Sequence, residues 1–268
     1  MVLNFSNSAH FGDLMFSLHY FIKLIKIHDD LKINFYIDNF YMSEMEKQIV
    51  GFDISLFPIV MKPEDTINMW FGRSDFNHGK ILNEMRNRST IDLLIKFYQF
   101  ISDILKIENP IKTKQDFIQQ NPNILKDNIL SGKFDILIVN SMALSGQYEN
   151  NNSDFVDLII KIKNEIPDIK IITTYHTGID GIPCTLNYNL SLMDIGNLSL
   201  YCDYIIGVST GPLVNCFNVW NIDKIKKYYI LNSSGEAYDF NDRCLNYKYL
   251  SDCKDEILIE IIKNYKKL

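Results

Sequence analysis

Glycine and proline are scarce in this chain, 12 and 7 residues of 268, and positive charge is outnumbered, with 27 Lys and Arg against 33 Asp and Glu. So few breakers exclude a collagen-like or low-complexity chain. A net charge of −6, scattered along the sequence, argues against nucleic acid as a partner, which calls for a basic face or stripe. The five cysteines, Cys184, Cys202, Cys216, Cys244 and Cys253, contain no Cys-x-x-Cys pair and are odd in number. That disfavours a zinc site and a disulfide framework, and fits a reducing compartment. No apolar stretch approaches the ~20 residues of a bilayer span, and Met1 leads straight into Val2-Leu3-Asn4-Phe5 with no charged leader. The expectation is a cytoplasmic protein with no signal peptide or transmembrane segment, peripheral attachment to a membrane being left open.

Several chemical signatures are missing as well. Without an Asp-x-Asp pair or clustered hard ligands, no metal site is expected and any chemistry should be metal-independent. The absence of GxxxxGK[ST] and of GxGxxG disfavours ATP hydrolysis and dinucleotide redox chemistry, and the absence of GxSxG disfavours the common serine hydrolases.

What is present is ample material for packed cores, 47% hydrophobic and 13% aromatic residues, arranged with two alternating periods. Apolar runs over Val2–Phe5, Lys32–Ile37, Ile54–Val60 and Ile67–Phe71 predict strands. Helical spacing predicts helices over Asp13–Ile27, Ser43–Val50 (opened by a capping Ser43) and Thr90–Ile107. After Pro110 and Pro122 the alternation resumes. Strands are predicted at Phe134–Asn140, Ile169–Tyr175, Tyr204–Val208 and Lys227–Leu231, and helices at Asp154–Glu165, Ser191–Tyr201, Leu213–Val219 and Asp252–Tyr265. Strands alternating with helices imply α/β architecture with parallel sheets and right-handed crossovers. Two domains are expected, residues 1–120 and 121–268, the second ending in an amphipathic helix.

Ligands of such sheets bind beyond the carboxyl ends of the strands, so the loops there hold the candidate residues. Asn7-Ser8-Ala9-His10-Phe11-Gly12-Asp13 joins the first strand to the first helix. Asp13 reads either as the N-cap of that helix or as a general base, and His10 either as a polar loop residue or as a substrate contact. Ser209-Thr210-Gly211-Pro212 follows a buried strand and precedes a short helix with Pro in its first turn. It reads either as an ordinary capped turn or as a phosphate cradle of backbone N–H groups.

Taken together, Gly12-Asp13 after the first strand and Gly207-Val208-Ser209-Thr210-Gly211-Pro212 roughly two hundred residues later resemble the ADP-heptose:lipopolysaccharide heptosyltransferases, that is, glycosyltransferase family 9. The resemblance implies a GT-B-like fold: two Rossmann-like domains with parallel sheets and a cleft between them. The first would be the acceptor side and the second the nucleotide-sugar side. By position, Asp13 becomes the catalytic base, while Thr210 and Gly211 contact the donor phosphates. The donor is then a substrate and no cofactor is expected. Partners would be a nucleotide sugar and a glycan or lipid-linked acceptor. The chain departs from the family's pattern at Ser209, where the family has Asp, and at Val214, where it has His. It also has no Lys or Arg in Ser141–Ser153.

Other loops offer further candidates. His176, in Thr174-Tyr175-His176-Thr177-Gly178, could touch the donor or be a loop residue without a role. Met69-Trp70-Phe71-Gly72-Arg73 could stack on a sugar or pack in the core, and Ser145-Gly146-Gln147 could offer N–H groups to phosphate or be a plain surface loop. Three functions stay open at this stage: a glycosyltransferase, a nucleotide-sugar epimerase on the same fold, and a degenerate, non-enzymatic glycan- or nucleotide-binding module.

Overall fold

The computed structural model describes residues 1–70, 90–141, 152–232 and 238–266. The chain forms two compact units, Met1–Asn123 and Ile124–Leu268, dividing three residues beyond the junction expected from the sequence.

In the first unit the elements run β1 (Val2–Asn7), α1 (Phe11–Ile27), β2 (Lys32–Ile37), α2 (Asn39–Gln48), β3 (Ile54–Pro58), β4 (Ile67–Asn68) and α3 (Thr90–Leu105). The strands pair in parallel in the order β3-β2-β1-β4. Leu14, Leu18, Phe21 and Ile22 of α1 are buried, as their spacing requires. Phe21 stacks on Phe5 of β1 and meets Phe35 of β2 edge-on, with centroids 4.7 and 4.9 Å apart. Tyr20 of α1 stacks on Tyr98 of α3 at 4.7 Å, which ties the long third helix to the first.

The second unit contains β5 (Ile136–Val139), α4 (Asn152–Glu165), β6 (Ile171–Thr173), α5 (Leu192–Ser199), β7 (Tyr204–Val208), α6 (Gly211–Cys216), β8 (Lys227–Leu231), β9 (Cys244–Tyr247) and α7 (Lys254–Tyr265). Its five strands are all parallel, in the order β6-β5-β7-β8-β9. Ile136 and Ile138 of β5 and Ile206 and Val208 of β7 pack with Leu158 and Ile162 of α4 and Ile257 and Ile261 of α7. Alternate residues of the same strands, Leu137, Val139 and Ile205, are buried too and point to the other face. Burial on both faces is why these strands read as unbroken apolar runs.

Three sequence expectations need correction. Helix α2 begins four residues before Ser43, because Asp38, immediately after β2, accepts a bond from the Phe40 N–H and caps it. The strand expected over Ile67–Phe71 pairs only at Ile67–Asn68, and Phe71, Gly72 and Arg73 lie outside the described residues. Strand β9 was not predicted. Cys-Leu-Asn-Tyr is too short and too mixed to declare itself, and it forms because β8 offers it an edge to pair with.

One glycine fixes how closely the second sheet packs. Gly207 of β7 lies opposite Val139 of β5, and a Cβ added there would fall 2.4 Å from Val139 Cβ and 2.7 Å from its carbonyl oxygen. Gly207→Ala must push two hydrogen-bonded strands apart, and is expected to cost about 1–3 kcal/mol. Gly196→Ala should cost less. Its nearest obstacle, at 2.4 Å, is the movable end of the Ile124 side chain. Urea unfolding of the two variants tests the order, and a Gly207→Ala midpoint equal to that of the wild type would refute it.

Candidate functional site

Chain topology marks one place in each sheet. In the first, β1 is followed on one side by β2 and on the other by β4. In the second, β5 has β6 on one side and β7 on the other. Where consecutive connections leave in opposite directions, the carboxyl ends open a crevice in which ligands bind. The loop carrying His10 and Asp13 leaves β1 at the first of these points, and the turn Ser209–Pro212 leaves β7 at the second.

In the first unit Asp13 is not the helix cap. Helix α1 starts at Phe11, with His10 as N-cap and no side-chain cap bond, so Asp13 stands in the first turn, where a carboxylate is favoured by the helix dipole. The Asp13 N–H and the Leu14 N–H both reach the His10 carbonyl, at 3.0 and 3.2 Å. His10 is exposed and Asp13 half-buried. Burial pushes the Asp13 carboxyl up to about 6, against the smaller lowering pull of the His10 ring and of the Asp13 and His10 backbone N–H groups. Tyr41 of α2 and Tyr98 of α3 lie close enough to feel its charge.

The residue that organises this loop was not singled out in the sequence. Asn7, the last residue of β1 and almost fully buried, accepts a bond from the Ala9 N–H at 2.9 Å. Its amide donates to Ser17 Oγ at 3.0 Å and to the carbonyls of Asp13 and Met69 at 3.4 Å each. Ser17 Oγ in turn donates to the Asp13 carbonyl at 3.0 Å. Met69 itself is buried, and Trp70, half-buried, donates its N–H to Asn68 Oδ1 at 2.9 Å.

In the second unit the turn after β7 is built by the strand itself. The Ser209 N–H bonds Leu231 O at 2.8 Å and so prolongs the ladder with β8. Thr210 is the N-cap of α6 in extended conformation, but its hydroxyl donates to Val208 O at 3.2 Å and does not cap the helix. The N–H groups of Gly211 and Leu213 therefore receive no side-chain cap, and Pro212 has none to offer. Ser209 Oγ donates to Tyr238 OH at 3.0 Å. Tyr238 is held in turn by Asn246 of β9, through Tyr238 N to Asn246 Oδ1 at 3.0 Å and Asn246 Nδ2 to Tyr238 O at 2.8 Å. Tyr238 and Asn246 were invisible in the sequence because the strand that places them was.

His176 stands beyond β6, exposed, with its ring against the edge of Tyr175 at 6.1 Å. Its carbonyl accepts from Asn152 Nδ2 at 3.0 Å. Asn140, just past β5, joins this loop to its neighbours: Oδ1 accepts from Tyr175 N at 2.8 Å, and Nδ2 donates to Tyr175 O and to Asn152 Oδ1, both at 3.0 Å. Ser141 and Thr174 share a hydroxyl bond of 2.7 Å. One strand, β5, separates β6 from β7, so the ends bearing His176 and Ser209 are two strand spacings apart, roughly 10 Å. Ser145, Gly146 and Gln147 lie outside the described residues. Among the described residues no three His, Cys, Asp or Glu side chains gather in a way that could hold a metal ion. No described helix is long and apolar enough to cross a membrane.

No family model matches the chain, and no curated protein matches it in sequence. Its fold does match solved structures. The Escherichia coli heptosyltransferase WaaC with ADP-2-deoxy-2-fluoro heptose superposes with a TM-score of 0.58 at 8% identity, covering 97% of this chain and 99% of that one. A glycosyltransferase of family 9 from Veillonella parvula gives 0.52 at 11% identity, covering 99% and 96%. The E. coli ADP-heptose lipopolysaccharide heptosyltransferase II gives 0.51 at 12%, covering 100% and 99%. The chain thus has the fold of the family 9 heptosyltransferases, which is the α/β fold expected from its sequence.

Asp13 shares α1 with a second buried titratable group, and the two act on stability in opposite directions. His19, fully desolvated, with Nε2 bonded to Gln119 Oε1 at 2.9 Å, is held down to about 4. Its folded value lies below its unfolded one of 6.5, so its contribution is present above pH 6.5 and is lost as pH falls toward 4. Asp13 is raised from 3.8 to about 6, so the folded state holds the extra proton and stability increases as pH falls through that window. Asp13→Asn removes the second effect. It should stabilise the protein at pH 7, by at most ~3 kcal/mol from about two units at 1.36 kcal/mol each, and this advantage should vanish below pH 4. Melting curves from pH 4 to 7 check this, and a variant no more stable than wild type at pH 7 contradicts it.

Proposed function

We propose that this protein is a glycosyltransferase that moves a sugar from a nucleotide diphosphate donor to a hydroxyl acceptor without a metal ion. The observation carrying this reading is that the two stretches suggestive of such an enzyme stand at the topological switch points of their own sheets. The fold shared with heptosyltransferases supports it. The first unit takes the acceptor and the second the nucleotide sugar.

The chemistry assigned to each residue follows from its surroundings. Asp13 accepts the proton of the acceptor hydroxyl as that oxygen attacks the anomeric carbon and the bond to the diphosphate breaks. A carboxylate pushed up to about 6 by burial is a stronger base than one in water, yet still ionised near neutral pH. His10, exposed beside it, contacts the acceptor. The N–H groups of Gly211 and Leu213, left uncapped by Thr210, receive the negative charge that grows on the departing diphosphate, while the hydroxyls of Ser209 and Thr210, donating to Tyr238 OH and Val208 O, hold the turn in shape. His176, roughly two strand spacings away, lies at a distance suited to the nucleoside end of the donor. Ser209 and Val214 in place of the family's Asp and His favour one second reading, a nucleotide- or glycan-binding module that no longer turns over.

An ADP-sugar is the first donor to try, since WaaC has been seen with ADP and with an ADP-deoxyfluoroheptose. A nucleoside diphosphate at saturating concentration should raise the melting temperature, and a crystal soak should place its phosphates against Ser209–Pro212. Density elsewhere, with this turn empty, rejects the donor site.

Once a donor and acceptor are in hand, Asp13→Asn should lower turnover roughly 10²–10⁴-fold, the usual worth of a positioned base. Wild-type transfer should survive EDTA. Near-normal turnover in the variant removes Asp13 from the mechanism. Loss of transfer in EDTA, restored by Mg²⁺ or Mn²⁺, overturns metal independence.

A further inference from the structure

We propose that Asn7 is the positioning residue of the first unit's site, the group that sets where the Asp13 carboxylate stands. The proposal rests on the reading of Asp13 as the base. Three separate pieces of chain must be fixed relative to one another for that carboxylate to have one position: the loop after β1, the first turn of α1 and the exit of β4. Asn7 bonds all three, through Ala9 N on the loop, Asp13 O and Ser17 Oγ on the helix, and Met69 O beyond β4.

Only an amide meets these partners. Ala9 N is a donor and needs an acceptor opposite it, whereas the carbonyls of Asp13 and Met69 need hydrogens. Asp at position 7 would satisfy the first and repel the others; Leu would satisfy none. The network also fixes which way the amide faces, since a flip would set its oxygen against two carbonyls and its NH₂ against an N–H. Because the side chain is only 1% exposed, water cannot readily replace a lost bond. Ser17 supports the same point from the helix, holding the Asp13 carbonyl at 3.0 Å. Asn7 touches neither the Asp13 carboxylate nor any reacting atom, so its effect passes through backbone position alone.

The test compares Asn7→Ala with Asn109→Ala. Asn109 is also a buried asparagine, bonding to Ile111 N and O in its own loop and to Gln99 of α3. Asp side-chain carbons are labelled and the Asp13 carboxyl is titrated by NMR in the full chain. The groups facing it, His10 from its own loop, Tyr41 from α2 and Tyr98 from α3, are unchanged in both variants. Both variants should melt lower than wild type. Only Asn7→Ala should move the Asp13 midpoint down from about 6 toward the ordinary carboxylate range, as the first turn loosens and water reaches the carboxyl. With an active donor and acceptor, kcat should fall roughly 10–100-fold, with the donor KM within about twofold of wild type. Should the alanine variant fail to fold, Asn7→Ser carries the test, its hydroxyl giving an intermediate shift. An Asp13 midpoint unchanged in the Asn7 variant overturns the proposal, whatever the melting temperature does. If wild type transfers no sugar from any donor, the functional reading fails on its own, and the NMR midpoint still decides the role of Asn7.

Discussion

A parallel strand flanked on both sides must part from its neighbours at its carboxyl end, and the polar backbone released there is still inside the protein. Each sheet meets this constraint at its first strand with a buried asparagine. Asn7 closes the end of β1 onto the loop, α1 and the exit of β4. Asn140 closes the end of β5 onto Tyr175 and Asn152. One amide supplies both an acceptor and donors in a space where neither water nor a continued ladder is available. The loops bearing Asp13 and His176 inherit their shape from these two side chains, and the candidate chemistry depends on that shape.

The two ends differ in what they do to charge. In the first unit, burial strips solvent from Asp13 and makes its ionised form costly, while the His10 ring and the backbone N–H groups of Asp13 and His10 return only part of that cost. In the second, α6 starts without a side-chain cap, so uncapped N–H groups are presented beyond β7. The first end thus holds a desolvated carboxylate, and the second holds backbone donors that Thr210 does not cap.

Much of the fold was legible because buried parallel strands leave a plain trace. Lys32–Ile37, Tyr204–Val208 and Lys227–Leu231 came out with the boundaries read from their apolar runs, and both helix-leading loops were recognised from the small residues a strand-to-helix turn needs. What escaped was long-range. Strand β9 exists only because β8 has an open edge, and its four residues carry no pattern of their own. Asn7 looked like one polar residue of a loop, and Asn140 like the polar end of a strand. Their value lies in partners 62 and 35 positions away, which no local window contains. Ser43 was mistaken for a cap because Asp38 sits on the far side of a boundary that periodicity locates only loosely.

The bond from Ser209 to Tyr238, with Tyr238 gripped by β9, has a meaning for how the chain is made. Ser209 leaves the ribosome 37 residues ahead of Asn246. At a synthesis rate of about 5–20 residues per second, that gap lasts roughly 2–7 s. During it β7 and α6 can form and pack, but the serine hydroxyl has no tyrosine held in place by β9, and once β8 (Lys227–Leu231) has been made its outer edge lies uncovered. The turn after β7 is therefore completed late, by the tail of the unit, and a nascent chain displays an unpaired strand edge beside it until β9 arrives to close both at once.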